Sequence, residues 1–402
     1  MGVDWTYMPL GEFVTLQRGH DLPAVDRRRG PVPVLGSFGI TGWHDKARAR
    51  GPGVTVGRSG ASFGVVSYST SDFWPLNTAL YVADFHGNDE RFAYYFLKQF
   101  DFKRYNSGSA QPSLNRNYVH PVRVQVPPKS EQRAIAYILG TLDVKIELNQ
   151  RLNETLEEIA RALFKSWFVD FDPVRAETEG NVPSLASQIA SLFPHRFADS
   201  LRGEIPDGWG VADLYWCAEV IYGAPFKSAL FNDLQRGLPL IRIRDLKHQE
   251  PTVWTTEKNL RGHLVSPGDL LVGMDGEFRA YLWHGPAAWL NQRVCCVKPL
   301  DSIPQAFIRF SLEEPLDFYE RSKTGTTVIH LGKGDIDAIR IVQPPLHVLK
   351  AFAAITNPID ARIVSASAES RTLAALRDTL LPKLISGELR IKDAEHLVSE
   401  VV

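Results

Sequence analysis

Ten residues (Ile135, Leu139, Leu142, Ile146, Asn149, Asn153, Leu156, Ala160, Leu163 and Trp167) fall on an unbroken 4,3,4,3 spacing. The spacing returns 217 positions later as Phe352, Thr356, Ile359, Ile363, Ala366, Ser370, Leu373, Arg377, Leu380 and Leu384. This is the seam of a coiled coil, so the chain must hold two long amphipathic helices of one design. Each begins just after a proline pair, Pro127 and Pro128 or Pro344 and Pro345. Proline bars a preceding helix and suits a first turn. Both seams are apolar at their ends and polar or small in the middle, with Asn149 and Asn153 in one and Ala366 and Ser370 in the other. Antiparallel pairing sets middle against middle, where the Asn side chains reach across and the small residues leave room for close approach. Such a polar centre fixes register at some cost in stability. Gly140 and Pro358 each predict a bend, with a short helical segment before it and the long paired segment after.

The repeat extends beyond the helices. Trp5, Leu10 and Gly19 match Trp209, Leu214 and Gly223 at offset 204, and GVTVGRSG at 53–60 matches GDLLVGMDG at 268–276 at offset 215 to 216. WPLNTALYV at 74–82 resembles WLNQRVCCV at 289–297, and SGSAQPSLN at 107–115 faces TGTTVIHLG at 324–332 at offset 217. The drift from 204 to 217 means a net gain of 13 residues in the second copy, mostly between Pro239 and Gly268. The chain therefore reads as globule, helix, connector, globule, helix, an internal duplication of about 200 residues.

At 402 residues the chain exceeds one ordinary core, and 44% hydrophobic with 23% charged residues is a soluble globular composition. Neither a membrane helix nor a signal peptide is expected, so the location read from sequence is cytoplasmic. Cys217, Cys295 and Cys296 form no CxxC and the His residues form no HExxH or HxH, so no metal site is expected and the cysteines read as small buried hydrophobes. A net charge of -1 confines any nucleic-acid contact to local clusters.

The fold class is α+β: two similar globules of mixed, mainly antiparallel strands plus helices, separated by two long antiparallel coiled-coil helices with a pseudo-two-fold relation. The boundaries read as a first globule at 1–127, a first spacer helix at 128–168 and a connector at 169–205. A second globule at 206–343, a second spacer helix at 344–390 and a tail at 391–402 follow. Between Arg18 and Arg58 eight basic residues stand against three Asp, a local charge of +5. Arg18, Arg27 and Arg28 belong to that cluster and are phosphate-contact candidates. From Asp143 to Glu179 nine carboxylates face five basic residues, a surface suited to a protein partner rather than to DNA.

Two related modules on an antiparallel helix pair have the geometry with which dimers read two half-sites. A helix of about 28 to 36 residues spans roughly 42 to 54 Å. That separates the readers by roughly 12 to 16 base pairs of B-DNA.

SEQRAIAYILGTLD at the helix opening, FVDFDPVRA just beyond it, EIPDGWG entering the second globule and the ISGELRI ending resemble the DNA-specificity subunit of type I restriction-modification systems. The resemblance covers essentially the whole chain, duplication included. One departure is the second helix, which opens LHVLKAFAAI where the family more usually has a Ser-Glu-Gln type start. The likeness implies two target-recognition domains that bind a bipartite double-stranded DNA site. It also implies methylation subunits recruited to the helices, in two copies, and a restriction subunit added for cleavage.

Base-reading candidates in the first globule are Arg58 and Ser59 in the GRSG turn, with Gln111, Ser113 and Asn115 after Gly108. In the second they are Arg242, Arg244, Arg279, Lys323 and Thr326. Arg suits guanine and Asn or Gln suits adenine. Leu148, Leu152 and Trp167 lie partly or wholly off the best-buried positions of the seam, Trp167 at its very end, and are the candidates for partner binding.

No catalysis is expected of the chain itself. A methyltransferase needs a glycine-rich cofactor loop and an Asn/Asp-Pro-Pro-aromatic turn, and Asp172-Pro173-Val174 and Asn357-Pro358-Ile359 lack the second proline and the aromatic. No Glu-x-Lys of a Mg-dependent nuclease occurs, and Leu331-Gly332-Lys333-Gly334 is no P-loop. No cofactor is expected. A stand-alone enzyme with an unfamiliar site would bind a cofactor or methylate alone, and a purely structural coiled-coil adaptor would show no DNA affinity.

Overall fold

The seams fold as two continuous helices of 40 residues, Lys129–Phe168 and Leu346–Ile385. In this computed structural model, residues 5–108, 112–178, 187–323 and 329–400 are described. The proline pairs start both helices in the same way. The Pro128 carbonyl accepts from the Glu131 amide at 2.9 Å, and the Pro345 carbonyl accepts from Val348 at 3.1 Å. Gln132, almost fully buried, ties the first start to the globule by donating to Pro127 O and Asn88 Oδ1 and accepting from the Asp89 amide. No helix among the described residues is long and apolar enough to cross a membrane.

The chain divides into two units, Met1–Ile146 with Thr372–Val402, and Glu147–Arg371, so each unit holds one part of both long helices. In the first unit the seam residues Ile135, Leu139, Leu142, Leu373, Leu380 and Leu384 join Leu10, Phe13, Phe92 and Tyr95 in one core. Arg377 donates to Asp143 at 2.7 Å there, and the Tyr95 hydroxyl donates to the other Asp143 oxygen. In the second unit Asn149 donates to Glu369 and Asn153 to Ser367, both at 2.9 Å, so one number falls as the other rises and the two helices are antiparallel there. The Asn side chains bond across as expected. Ser370 instead donates to Ala366 O of its own helix, and Ala366 is wholly buried at the close approach.

The expected bends do not divide either helix. Gly140 is used for packing: a Cβ there would stand 2.5 Å from Nη1 of Arg91, which crosses the helix from Glu90–Gln99. Pro358 lies on the exposed side, where water can satisfy the one carbonyl deprived of its donor.

Among the described residues nine strands build the first globule: β1 Thr6–Pro9, β2 Thr15–Arg18, β3 Val32–Gly36, β4 Gly39–His44, β5 Gly53–Gly57, β6 Val66–Ser69, β7 Trp74–Pro75, β8 Ala79–Asp84 and β9 Arg123–Val126. They form sheets in the orders β2-β8-β5-β6, β4-β3-β7 and β1-β9. After a hairpin of β10 Phe197–Ser200 and β11 Gly203–Pro206, the second globule runs β12 Gly210–Asp213, β13 Ala218–Tyr222, β14 Phe231–Asn232, β15 Leu238–Ile241, β16 Trp254–Thr255 and β17 Leu264–Val265. It closes with β18 Leu270–Gly273, β19 Ala280–Leu282, β20 Ala288–Leu290, β21 Val294–Pro299 and β22 Arg340–Gln343. Its sheets are β13-β21-β18-β19, β14-β16-β15-β20-β17 and β12-β22. The four-stranded order is the same in both globules, and a parallel pair recurs as β3 with β7 and β15 with β20. The second copy adds β14 and β17, and β17 lies in the stretch that the sequence marks as longer.

One glycine pair shows why the duplication is written where it is. Gly19 and Gly223 follow β2 and β13, and a Cβ would stand 2.1 Å from Leu76 O in one and 2.0 Å from Asn291 O in the other. Backbone cannot yield as a side-chain tip can. Gly19→Ala and Gly223→Ala should each destabilise the protein by about 1–3 kcal/mol. Gly334→Ala, where nothing stands within 4 Å, should be near neutral. Equal urea midpoints for all three variants would refute the close approach as the reason.

Candidate nucleic-acid interface

At the end of β5 the first globule gathers its candidates on one edge. The Arg58 amide donates to Thr78 O at 3.0 Å, the Leu114 amide donates to Arg58 O at 2.8 Å, and Ser59 bridges Ser113. Asn106 Oδ1 accepts from the Gly108 and Ser113 amides, both at 3.0 Å, closing the loop against the turn. Asn115 caps the short helix Arg116–Val119 by accepting from the Asn117 amide. Arg58, Ser59, Ser113 and Asn115 are thus brought together by backbone pairing, and Gln111 lies outside the described residues.

The basic cluster is divided between brace and free surface. Arg27 is half-buried, donates to Thr41 O at 2.8 Å and lies over Gly42, where a Cβ would stand 2.5 Å from its Nη1. Arg28 is exposed and pairs with Asp45 at 3.2 Å, a contact worth little in water. Arg18, at the end of β2, is exposed. Arg48 stacks 5.2 Å from the Trp74 ring, and Phe38 and Trp43 are exposed aromatics on the same strand pair.

The second globule repeats the edge with other side chains. The Met274 amide donates to Arg293 O at 3.0 Å, the Leu331 amide donates to Met274 O at 2.7 Å, and Asp275 bridges His330. Asp275 takes the place of Ser59 and His330 that of Ser113. The Asp275 carboxylate holds both Arg293, at 3.2 Å, and His330, at 2.5 Å.

Of the candidates from sequence, Arg242, just after β15, holds the buried Asp245 at 3.2 Å and reaches the Thr252 hydroxyl. Arg244 is exposed on the short helix Ile243–Leu246. Arg279 pairs with Glu320 at 2.7 Å and Lys323 with Asp335 at 2.6 Å. Burial pushes the Asp335 carboxyl up, but Lys323 and the Gly332 amide hold it below its ordinary value. Arg242, Arg279 and Lys323 must exchange a carboxylate for any phosphate or base they contact. Thr326 lies outside the described residues.

Asp275, Arg293 and His330 are not among the residues expected from sequence, because tertiary contact between separate segments brings them together. The signal was present in the offsets, which pair Ser59 with Asp275 and Ser113 with His330.

On the first long helix, Leu148 is 57% exposed and Leu152 half-buried. Trp167 corrects the expectation of a surface contact. It is fully buried, its ring 5.3 Å from Phe193 and 5.8 Å from Phe352. The cause is that the helix end lies under the second globule, whose core includes Trp209 and Phe307.

A family model described as type I restriction modification DNA specificity domain matches residues 2–158. Over 330 residues the chain is 27% identical to the type I restriction enzyme HindI specificity subunit of Haemophilus influenzae, covering 69% of this chain and 71% of that protein. Over 322 residues it is 28% identical to the type I restriction enzyme MjaIX specificity subunit of Methanocaldococcus jannaschii, covering 75% and 69%. The crystal structure of a type I restriction-modification system S subunit from M. genitalium matches 95% of this chain and 96% of its own, with a TM-score of 0.60. At 18% identity that is a likeness of fold.

Proposed function

We propose that the chain is a specificity subunit of the type I restriction-modification kind, as the similar proteins and the family model support, and that it binds a bipartite DNA target and directs methylation and restriction subunits to it. The observation that carries this reading is one scaffold built twice with different residues at the same edge: Arg58, Ser59 and Ser113 in one globule, Met274, Asp275 and His330 in the other. Equal scaffolds place two readers alike. Unequal edges make the two half-sites differ.

In this reading 1–127 and 206–343 are the target-recognition domains, and 128–168 and 344–390 the spacer helices. The segment 169–205 is the connector and 391–402 the tail. Arg58, Ser59, Gln111, Ser113 and Asn115 contact bases in the first half-site, and Arg242, Arg244, Arg279, Lys323 and Thr326 in the second. Arg18, Arg27 and Arg28 contact phosphates, with Arg27 also bracing its strand. The chain is a non-catalytic recognition subunit acting in the cytoplasm, where its DNA is. Leu148 and Leu152 contact methylation subunits, two copies of which bind one copy of this chain.

Methylation mapping of genomic DNA from cells with and without the gene tests the reading. A split motif that loses its methylation on deletion is expected. Ala at Arg58 and Ser59 should relax preference in one half of the motif only, by about 1–3 kcal/mol per lost bidentate contact. An unchanged methylome, or methylation by the purified chain alone, would sink the proposal.

A further inference from the structure

We propose that His263, Asp269 and Cys296 form a metal site in the second unit, taking one divalent cation of the zinc class. Sequence spacing concealed it, because the three residues belong to different strands. His263 immediately precedes β17 in the five-stranded sheet, Asp269 immediately precedes β18, and Cys296 lies within β21 of the four-stranded sheet. One ligand atom from each lies within 4.8 Å of the other two. Tetrahedral zinc with bonds of about 2.0–2.3 Å sets its ligand atoms roughly 3–4 Å apart, so a small closure completes the geometry.

Three further observations bear on the ligands. Successive residues on a strand point to opposite faces, and Cys295 enters the core with Trp209 and Phe307 while Cys296 enters the separate cluster of Ile241, Leu271 and Trp283. Only Cys296 is on the side of His263. The buried Nε2 of His263 has no hydrogen-bond partner among the described residues, a cost that a metal bond removes. The Ser266 amide donates to Asp269 Oδ2 at 2.8 Å and orients the carboxylate.

Among the described residues the set has no equivalent in the first globule. Tyr81 stands where Cys296 does, paired with Thr55 as Cys296 is with Leu271. Gly53 occupies the place of Asp269, and His263 lies in the stretch that is longer in the second copy. An imidazole with a thiolate selects zinc over magnesium or calcium. With three protein ligands the fourth position is open to water, and the bound ion ties one sheet of the globule to the other.

The test uses the purified full chain, stripped with a chelator and titrated with Co2+. Expected are one equivalent bound, a thiolate-to-cobalt charge-transfer band in the near ultraviolet, and its bleaching by Zn2+. C296S should abolish the band, H263Q and D269N should weaken binding, and C295S, on the other face, should retain the band. If C296S fails to fold, H263Q and D269N decide alone. Absence of the band at one equivalent, its survival in C296S, or unchanged affinity in both H263Q and D269N would overturn the proposal.

Discussion

Replacing Arg309 by Met should cost about 3–5 kcal/mol of stability at neutral pH, because it leaves a buried carboxylate without its counter-charge. The Arg309 side chain is almost fully buried and bridges the two long helices within the second unit. It holds Glu157 at 3.0 Å on one and Asp360 at 3.1 Å on the other, with its guanidinium 4.7 Å from the Phe310 ring. Asp360 Oδ2 has no partner among the described residues, so nothing else compensates the charge. Burial raises the Asp360 pKa and Arg309 opposes the rise. A folded-state pKa above the unfolded value means that the native state binds the proton more tightly, so this group adds stability as pH falls through the interval and subtracts it above. Without Arg309 the pKa climbs further and the interval widens upward. The deficit of Arg309→Met should therefore shrink as pH is lowered from about 7 to 5, and Arg309→Met with Asp360→Leu should recover most of the loss. Urea unfolding at several pH values checks both. A deficit that stays constant with pH would show that lost packing, not the orphaned charge, is the cause.

How legible the chain was depends on the range of the interaction concerned. The helix pair was readable because its signals are local and periodic: the seam and the prolines alone place Lys129–Phe168 and Leu346–Ile385 to within a few residues. The duplicated scaffold was readable because Gly19 and Gly223 are fixed by the same contact and kept their spacing. Pairing partners were harder. Asn149 and Asn153 were expected to bond across and do so, but the spacing of the seam does not say that Glu369 and Ser367 receive them, since that depends on how one helix is rotated against the other. Which charges would be free was not readable at all. Arg242, Arg279 and Lys323 look alike in sequence to Arg244, but the first three meet Asp245, Glu320 and Asp335 through tertiary contacts. His263, Asp269 and Cys296 meet by sheet register, which no spacing rule reveals.

Trp167→Ala should destabilise the protein by about 3–5 kcal/mol, the cost of emptying a large aromatic site in a closed core. Phe168, Phe193 and Phe352 surround the ring, and Phe168 in turn stacks edge-on to Phe352 at 5.0 Å, so neighbours cannot easily collapse into the space. Leu148→Ser, at a mostly exposed position, should change stability by no more than about 0.5 kcal/mol. The two substitutions therefore separate folding from assembly. If the first long helix seats methylation subunits through Leu148 and Leu152, then Leu148→Ser with Leu152→Ser should lose co-purification of those subunits while keeping an unfolding midpoint close to that of the parent. Trp167→Ala should lower the midpoint, and any loss of the complex should follow the loss of the fold. A complex of unchanged composition with the Leu148→Ser and Leu152→Ser chain would place the seat elsewhere. A Trp167→Ala chain that unfolds like the parent but no longer binds would return Trp167 to the interface.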